Sequence, residues 1–500
     1  VSLPVVKPLP SLVTICAWKG SDVLCGQGQS PPDHWLQHVT GFQRTEEALR
    51  VSDPESLSPD DVLDKVSGFE SVILSAYNRV HRFGWYGQNA IVAPEIMADN
   101  LDFNNRTGRY EQHYVNAVRT HMGRWGNYVG INDANIIISR IDDLKDLDSD
   151  DITLRDQLKG EALFLRSLNY HDMARVYGYE PGQEVNGFNL TVPLRISETK
   201  GVSDALDVKP RATNTELYSL VKGDLQSATS LLPTSNANAP YRVGQDAAHA
   251  LLSRVYLYEG SWSDAAAQAE AAMSKTSATL IEDKAAYYDS WFAVPHPESI
   301  YEAEIRSTDW STVDGANNSL STLSNNTSSS SQFILVGSPE LIQELDSEAG
   351  DFRDTIWTRL DGLPAGTAKC EKWQGEKGDF LENIPVIRYS EMLLTAAEGH
   401  ARAGNDASAQ THINILRVAR GLPETDATGS DLITLIMKER RVEFALEGHR
   451  WFDLKRTGSE ITKSATANVP NLSYNDFRLL SVIPQAELSL NEFLVQNPGY

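Results

Sequence analysis

Residues 439–458 read ERRVEFALEGHRWFDLKRTG. At helical spacing Glu439, Glu443 and Glu447 fall on one stripe, with Arg440 beside Glu443 and Glu447. Val442, Phe444, Leu446, Trp451, Phe452 and Leu454 offer a broad apolar surface, and Gly448 either ends the helix or lets it approach a neighbour closely. His449 could serve as a general base oriented by Glu447 or Asp453, but the stretch supplies neither a nucleophile nor a clamp for a transition state. The reading favoured here is structural: a charge-laced helix whose arginine–carboxylate pairs lock it to a helical bundle.

Working outward, the texture is helical from about residue 51. SLSPDDVLDKVSGFESVILSAYNRVHRF (56–83) opens on a helix-start signal. MGRWGNYVGINDANIIISRIDDL (122–144), LRDQLKGEALFLRSLNYHDMARVYG (154–178) and NTELYSLVKGDLQSATSLLP (214–233) are amphipathic in turn. DAAHALLSRVYLYEGSWSDAAAQAEAAM (246–273) places two helices around a Gly-Ser-Trp turn, with alanines where helices must approach. The shape recurs in VIRYSEMLLTAAEGHARAGNDASAQTHINILRVARGL (386–422), turning at Gly404-Asn405. Such pairs resemble tetratricopeptide units, which bury their faces only against neighbours. The expected fold class is all-α, a superhelix of helix pairs with irregular insertions and little β structure, one short strand falling near IYEAEI (300–305).

The chain has 500 residues, 41% of them hydrophobic, and a net charge of −24. So acidic a surface disfavours nucleic acid, whose phosphates need basic patches. Three cysteines form no disulfide framework or paired metal spacing. The polar run 306–332 reads as surface loop or disorder, because it cannot bury a core. Phosphate-loop, serine-elbow and zinc-protease motifs are lacking. HWLQH (34–38) spaces two histidines for one helix face without a glutamate, and DLDSDD (146–151) lacks the glycine and terminal glutamate of a calcium loop. No cofactor or metal is expected. In SLVTICAWKGSDVLCG (11–26), Ile15 and Leu24 stand where a lipidation signal places a small residue before Cys16 or Cys25.

ERRVEFALEGHRWFDLKRTG resembles the C-terminal helix segment of the SusD/RagB family of outer-membrane nutrient-binding lipoproteins. GEALFLRSLNYHDMARVYG, IPVIRYSEMLLTAAE and the closing VIPQAELSLNEFLVQNPGY are similar to family segments in family order, as are SPDDVLDKVSGFESVILSAYNRV and WGNYVGINDANIIISRI. The resemblance implies four tetratricopeptide-like helix pairs and a variable insertion before the last. Applied to this chain, it implies one helical domain over 51–500, with pairs within 67–275 and 384–456 and the insertion at 276–383; residues 1–50, read as a leader or ill-defined N-terminal segment, do not resemble a family leader. It further implies a bacterial surface protein, lipid-anchored in the outer membrane, that captures glycans or sometimes peptides for a SusC-type TonB-dependent transporter and performs no covalent chemistry. Where members often carry Ala-Glu-Ala, this chain has Ala397-Glu398-Gly399.

Sugar rings stack their C–H faces on aromatic rings and offer hydroxyls to amides and charged groups, so a site calls for exposed aromatics on polar loops. FGWYGQN (83–89) supplies Trp85, Tyr86 and Asn89; DNLDFNNRTGRY (99–110) supplies Asp102, Asn104 and Arg106. Trp310 and Trp373 stand in later loops. Trp262 and Trp451, on helical patterns, are expected in the core, as are Trp125 and Trp291. The rival readings are a glycoside hydrolase, which needs two carboxyls in a cleft with one pKa raised, and a peptide-binding helical scaffold using its concave face.

Overall fold

The computed structural model describes residues 62–106, 108–119 and 122–500, together with the backbone of 15–19 and 22–26. The chain divides into two compact units, Val1–Ser58 and Pro59–Tyr500. In the first, β1 (Ile15–Lys19) and β2 (Asp22–Gly26) form an antiparallel hairpin in which Cys16 faces Cys25 in register. The side chains of those cysteines, and the His34–His38 pair, lie outside the described residues.

The second unit is a right succession of helices, as the fold-class reading expects. Besides further short helices such as Lys284–Ser290 and Pro339–Asp346, they are in chain order α1 (Val66–Val80), α2 (Asn89–Ile96), α3 (Asn127–Arg140), α4 (Ser149–Tyr177), α5 (Asn214–Leu231), α6 (Gln245–Glu259), α7 (Trp262–Lys275), α8 (Thr312–Asn318), α9 (Tyr389–Arg402), α10 (Asp406–Ala419), α11 (Gly429–Glu443) and α12 (Arg450–Arg456). Each long helix packs on its neighbours in order: α1 on α3, α3 on α4, then α4–α5–α6–α7, α7 on α9, and α9 on both α10 and α11.

Local chemistry sets the ends. Asp148 caps α4 by accepting from the Asp150 and Asp151 nitrogens at 2.9 Å, so the acidic run that looks like a calcium loop is a helix start. Thr213 and Glu216 form a reciprocal capping box on α5. Gly260 (φ +81°) and Gly404 (φ +82°) take the left-handed conformation between the paired helices α6–α7 and α9–α10. Gly399 explains the departure from Ala-Glu-Ala: a Cβ there would lie 2.6 Å from the Trp262 carbonyl oxygen, because α9 and α7 touch backbone to backbone.

The strands are short. β3 (Leu101–Phe103) pairs with β5 (Leu335–Gly337), and β4 (Ser299–Ala303) with β8 (Ile384–Arg388); β6 (Trp357–Thr358) meets β7 (Lys369–Cys370). β4 realises the strand expected near IYEAEI. Its partner Ile384–Arg388 departs from the helical reading of that stretch, since its β-branched Ile384, Val386 and Ile387 are all buried in the pairing.

The 306–332 run also corrects its reading as a surface loop. It contains α8 and the one-turn helix Leu320–Ser324, and Ser319, Ser321, Thr322, Ser324 and Asn325 are buried. These polar groups are tolerated because each finds a partner: Glu382 accepts from the Ser321 nitrogen and hydroxyl, both at 2.8 Å, and Asn325 donates to the Trp373 carbonyl at 3.2 Å. Trp451 and Trp291 are buried as expected, whereas Trp262 and Trp125 are half-buried, Trp262 lying beneath the Arg402 guanidinium.

Residues 439–458 sit at the centre of this architecture. α11 stops at Glu443, a tight turn follows, and α12 starts at Arg450, so Glu447 belongs to the turn and not to a continuous helix. Glu443 accepts from Arg420, Arg388 and Arg353; Glu447 takes a bidentate grip from Arg388 at 2.7 and 2.9 Å. Glu298 on the far side joins both Arg388 and Arg420 at 2.8 Å. Burial raises the Glu443 carboxyl, but Arg420 and Arg388 outweigh it and hold its pKa well below the usual carboxylate range. His449 rests on Phe444, ring centroids 4.7 Å apart, and burial with Arg254, Arg440 and Arg175 nearby keeps its pKa well below the ordinary value. It is a packed imidazole in a structural ion network.

Candidate functional site

Three loops expected to carry a ligand site come together in space. The first leaves α1 at His81 and re-enters helix at α2. It is tightly wound: the Trp85 nitrogen donates to Arg82 O at 2.8 Å, and a Cβ on Gly87 would lie 2.0 Å from the His81 carbonyl. The second follows β3, and the third contains α8. Tyr110 donates to Gln88 Oε1 at 3.0 Å, while Gln88 donates to the Asn318 carbonyl at 2.6 Å and Arg109 to Asn318 Oδ1 at 3.1 Å. Asn104 donates to Phe333 O and the exposed Arg106 to Gln332 O. Asn89, half-buried, accepts from Arg124 at 2.7 Å.

The expected aromatics are not the exposed ones. Trp85 is 3% exposed and Tyr86 5%. The Trp85 indole donates to Asp172 at 2.5 Å, and Asp172 also accepts from Arg124 and Arg175, so the ring completes a buried ion cluster. Trp373, 2% exposed, donates to Leu446 O and meets Trp291 edge-on. Asp102 is buried and accepts from Ser464, Thr466 and Tyr114. The expectation of exposure is therefore corrected for Trp85, Tyr86, Trp310, Trp373 and Asp102: Trp85, Trp373 and Asp102 are drawn inward by hydrogen bonds to other segments, and Tyr86 is buried against Trp85 with its hydroxyl unpartnered among the described residues. Trp310 is 8% exposed and stands differently, because it supports a ring that the sequence reading missed. Phe83 packs on it with centroids 4.5 Å apart and remains half-buried.

His81 and Arg306, from the segments that carry this ring pair, also border a cleft of about 320 Å³. Tyr77, Tyr241, Arg242, Glu304 and Arg306 line it. Tyr77 accepts from the Val243 nitrogen, Arg242 pairs with Glu161, and Arg306 with Glu304, so the aromatic walls and charged rims are held in place. Burial lowers the pKa of His81, against the pull of Asp309. Tyr77 lies on the α1 helical stripe and Tyr241 in a proline-flanked turn, and neither carries a sequence mark of a ligand group.

Burial raises the pKa of several carboxyls, Glu95, Glu161, Asp224, Asp246 and the cleft-lining Glu302 among them, and those of Glu376, to about 8, and Glu382, to about 6. Glu382 is bonded to Ser321, and Glu376 borders a cavity of about 10 Å³ beside Trp373, room for a water and not for a sugar ring. This pair does not form the acid–base cleft a glycoside hydrolase needs. Among the described residues no helix is long and apolar enough to cross a membrane.

Comparison with known proteins agrees with this architecture. Residues 369–500 match the SusD family, and residues 56–257 match a family described as starch-binding associating with outer membrane. SusD-like protein P2 of Formosa agariphila is 23% identical over 496 residues, covering 89% of this chain and 94% of its own. Among solved structures, a putative sugar binding protein from Bacteroides vulgatus superposes with a TM-score of 0.76 at 26% identity, over 87% of this chain and 99% of the other. A laminarin binding SusD-like protein superposes with a TM-score of 0.68 at 22% identity, over 87% and 99%. With both ends of the helical array matched and the array itself superposed, the chain belongs to the SusD family.

Proposed function

We propose that this protein captures an oligo- or polysaccharide at the surface of the bacterial outer membrane and passes it to a SusC-type TonB-dependent transporter, without covalent chemistry. The observation that carries the reading is the meeting of three polar loops through Gln88, Arg109 and Asn318, with the Phe83–Trp310 pair joining the first loop to the third and a cleft walled by Tyr77 and Tyr241 bordering His81 and Arg306. Tyrosine walls with Asn78, Asn238, Arg242 and Arg306 in the same lining suit sugar rings, whose C–H faces stack and whose hydroxyls need donors and acceptors, and Asn89, Asn104 and Arg106 stand on the adjoining loops. The family's description and the laminarin-binding relative support the same ligand class. In this reading Trp310 backs Phe83, while Trp85, Tyr86, Asp102 and Trp373 hold the loops from behind. A lipid on the N-terminal segment would tether the domain.

The test is calorimetric titration with laminarin, starch and a panel of other polysaccharides, using the native protein, Phe83→Ala and Tyr241→Ala. Saturable binding to one glycan class, weakened at least about tenfold (about 1.4 kcal/mol) by either variant, is expected. Binding that is indifferent to both substitutions would remove the site from this surface; a protein that binds no glycan but binds peptides would overturn the ligand class. Recovery of a TonB-dependent transporter with the tagged protein from solubilised outer membranes tests the hand-off.

A further inference from the structure

Far from the loop surface, the last helix pairs bring together three side chains with metal-binding chemistry. Glu270 on α7, His400 on α9 and His412 on α10 present one ligand atom each, all within 4.8 Å of one another. His400 Nε2 lies 2.8 Å from Glu270 Oε1, and His412 Nε2 lies 3.5 Å from the same oxygen. The two imidazoles are nearly parallel, 24° apart with centroids separated by 5.5 Å. Both are half-buried, and the Glu270 side chain is 44% exposed.

The tautomer of His412 is set by its second nitrogen. Nδ1 lies 2.9 Å from the Ser408 carbonyl, a group that can only accept, so Nδ1 carries the proton. In the neutral ring the Nε2 lone pair then faces the Glu270 carboxylate, acceptor against acceptor. A cation between them removes that conflict, and a backbone carbonyl on the far nitrogen is the partner that orients a metal-ligating histidine. Two imidazoles and a carboxylate suit Zn²⁺ and its first-row neighbours and not Mg²⁺ or Ca²⁺, which take all-oxygen shells. Ligand atoms around a tetrahedral Zn²⁺ stand about 3.4 Å apart, given bonds of about 2.0–2.1 Å. The 2.8 Å separation of His400 from Glu270 has only to open by about 0.6 Å and that of His412, 3.5 Å, is already in range, while the two histidine nitrogens, within 4.8 Å, need a small approach by rotation of half-buried side chains.

We propose that Glu270, His400 and His412 form a surface site for a divalent transition metal, Zn²⁺ by preference, with water completing the shell. The ion would clip α7, α9 and α10 together where the helical array ends its third pair and begins its fourth. α7 and α9 already touch at Gly399, next to His400, so the ion ties elements that are held in place without it.

The experiment uses the full chain stripped with chelator and titrated with ZnCl2 or MgCl2, followed by calorimetry and thermal melting. The comparison set is His400→Ala/His412→Ala, Glu270→Gln and His34→Ala/His38→Ala. One Zn²⁺ per chain should bind and raise Tm by several degrees, with MgCl2 inert. The double histidine variant should lose that binding and that rise while melting like the native protein without metal, and His34→Ala/His38→Ala should keep both. Should the double variant fail to fold, Glu270→Gln, at a more exposed position, should still weaken Zn²⁺ binding at least about tenfold. Absence of 1:1 binding, or binding that survives loss of these ligands, overturns the proposal.

Discussion

Glu95 and Gly448 meet at the core of the molecule: Glu95 Oε1 accepts from the Gly448 nitrogen at 3.0 Å, and from the nitrogens of His449 and Arg450 at 2.9 and 3.2 Å. The turn between α11 and α12 thus folds around a carboxylate supplied by α2. Gly448 has φ of +86°, and a Cβ there would lie 2.2 Å from the Ala90 carbonyl oxygen. Gly448→Ala should therefore destabilise the fold by at least about 2 kcal/mol, through backbone strain and the enforced retreat of α2. Glu95→Ala should do as much by stripping the Leu446, Gly448, His449 and Arg450 N–H groups of their acceptor. Denaturant unfolding monitored by circular dichroism measures both; a neutral Gly448→Ala would show that the α2 contact is not required.

The central ion network should be brittle where surface pairs are not. Glu443→Gln leaves Arg388, Arg420 and Arg353 buried with one carboxylate fewer, and a loss of about 3–5 kcal/mol is expected. Asp142→Asn breaks the exposed pair with Lys159 and should cost no more than about 1 kcal/mol. Equal effects in the two variants would contradict this account of the network.

Stability and ligand binding should separate between neighbouring aromatics. Trp85→Phe forfeits a hydrogen bond to a buried carboxylate, a loss of about 1.5–3 kcal/mol in stability, while glycan affinity stays within about twofold. Phe83→Ala should do the reverse, with affinity down and Tm held within a few degrees. Melting curves run beside the titrations decide it, and a Trp85→Phe that loses affinity at unchanged Tm would return that ring to the binding surface.

Acid should act on the protein in two stages. Burial holds His296 at about 3 and His449 well below its ordinary value, so below about pH 6.5 protons bind these groups in the unfolded chain in preference, which lowers stability. Asp99, Glu398 and Asp453 stand at about 2: burial raises each, and Arg450, Arg456 and Arg440 respectively more than offset it. Their contribution is present above about pH 4.5 and is lost as pH falls toward 2. Glu376 and Glu382, raised to about 8 and about 6, oppose the histidines between pH 7.5 and 5.5, because there the folded chain holds their protons in preference. Tm should therefore fall steeply only below about pH 4.5, and His449→Phe should gain Tm relative to the native protein on going from pH 7.5 to 5.5. A Tm that holds from pH 4.5 to 2.5 would refute the carboxylate part, and a His449→Phe with unchanged pH dependence the histidine part.

Much of the architecture was legible in the residues themselves. The 3.6-residue periodicity of α1, α4, α5 and the α9–α10 pair and the turn glycines Gly260 and Gly404 are local properties, and local properties survive in any context. The ligand-side loops were legible as polar aromatic loops, and the structure does bring 83–89, 104–110 and the α8 segment together.

What a chain of residues cannot display is which side of a loop side chain finds a partner elsewhere. Trp85 looks like a ligand platform until Asp172, brought in by α4, accepts a hydrogen bond from its indole; Phe83, two residues earlier, packs on Trp310 and stays half-buried. The Ser/Asn-rich stretch looked unable to be buried until Glu382 and the Trp373 carbonyl arrived to satisfy it. Periodicity and capping chemistry, which act within a few residues, determined that this protein is a helical array. Hydrogen-bond satisfaction and charge pairing between segments hundreds of residues apart decided which aromatics face solvent, because burial is a property of the partner as much as of the residue.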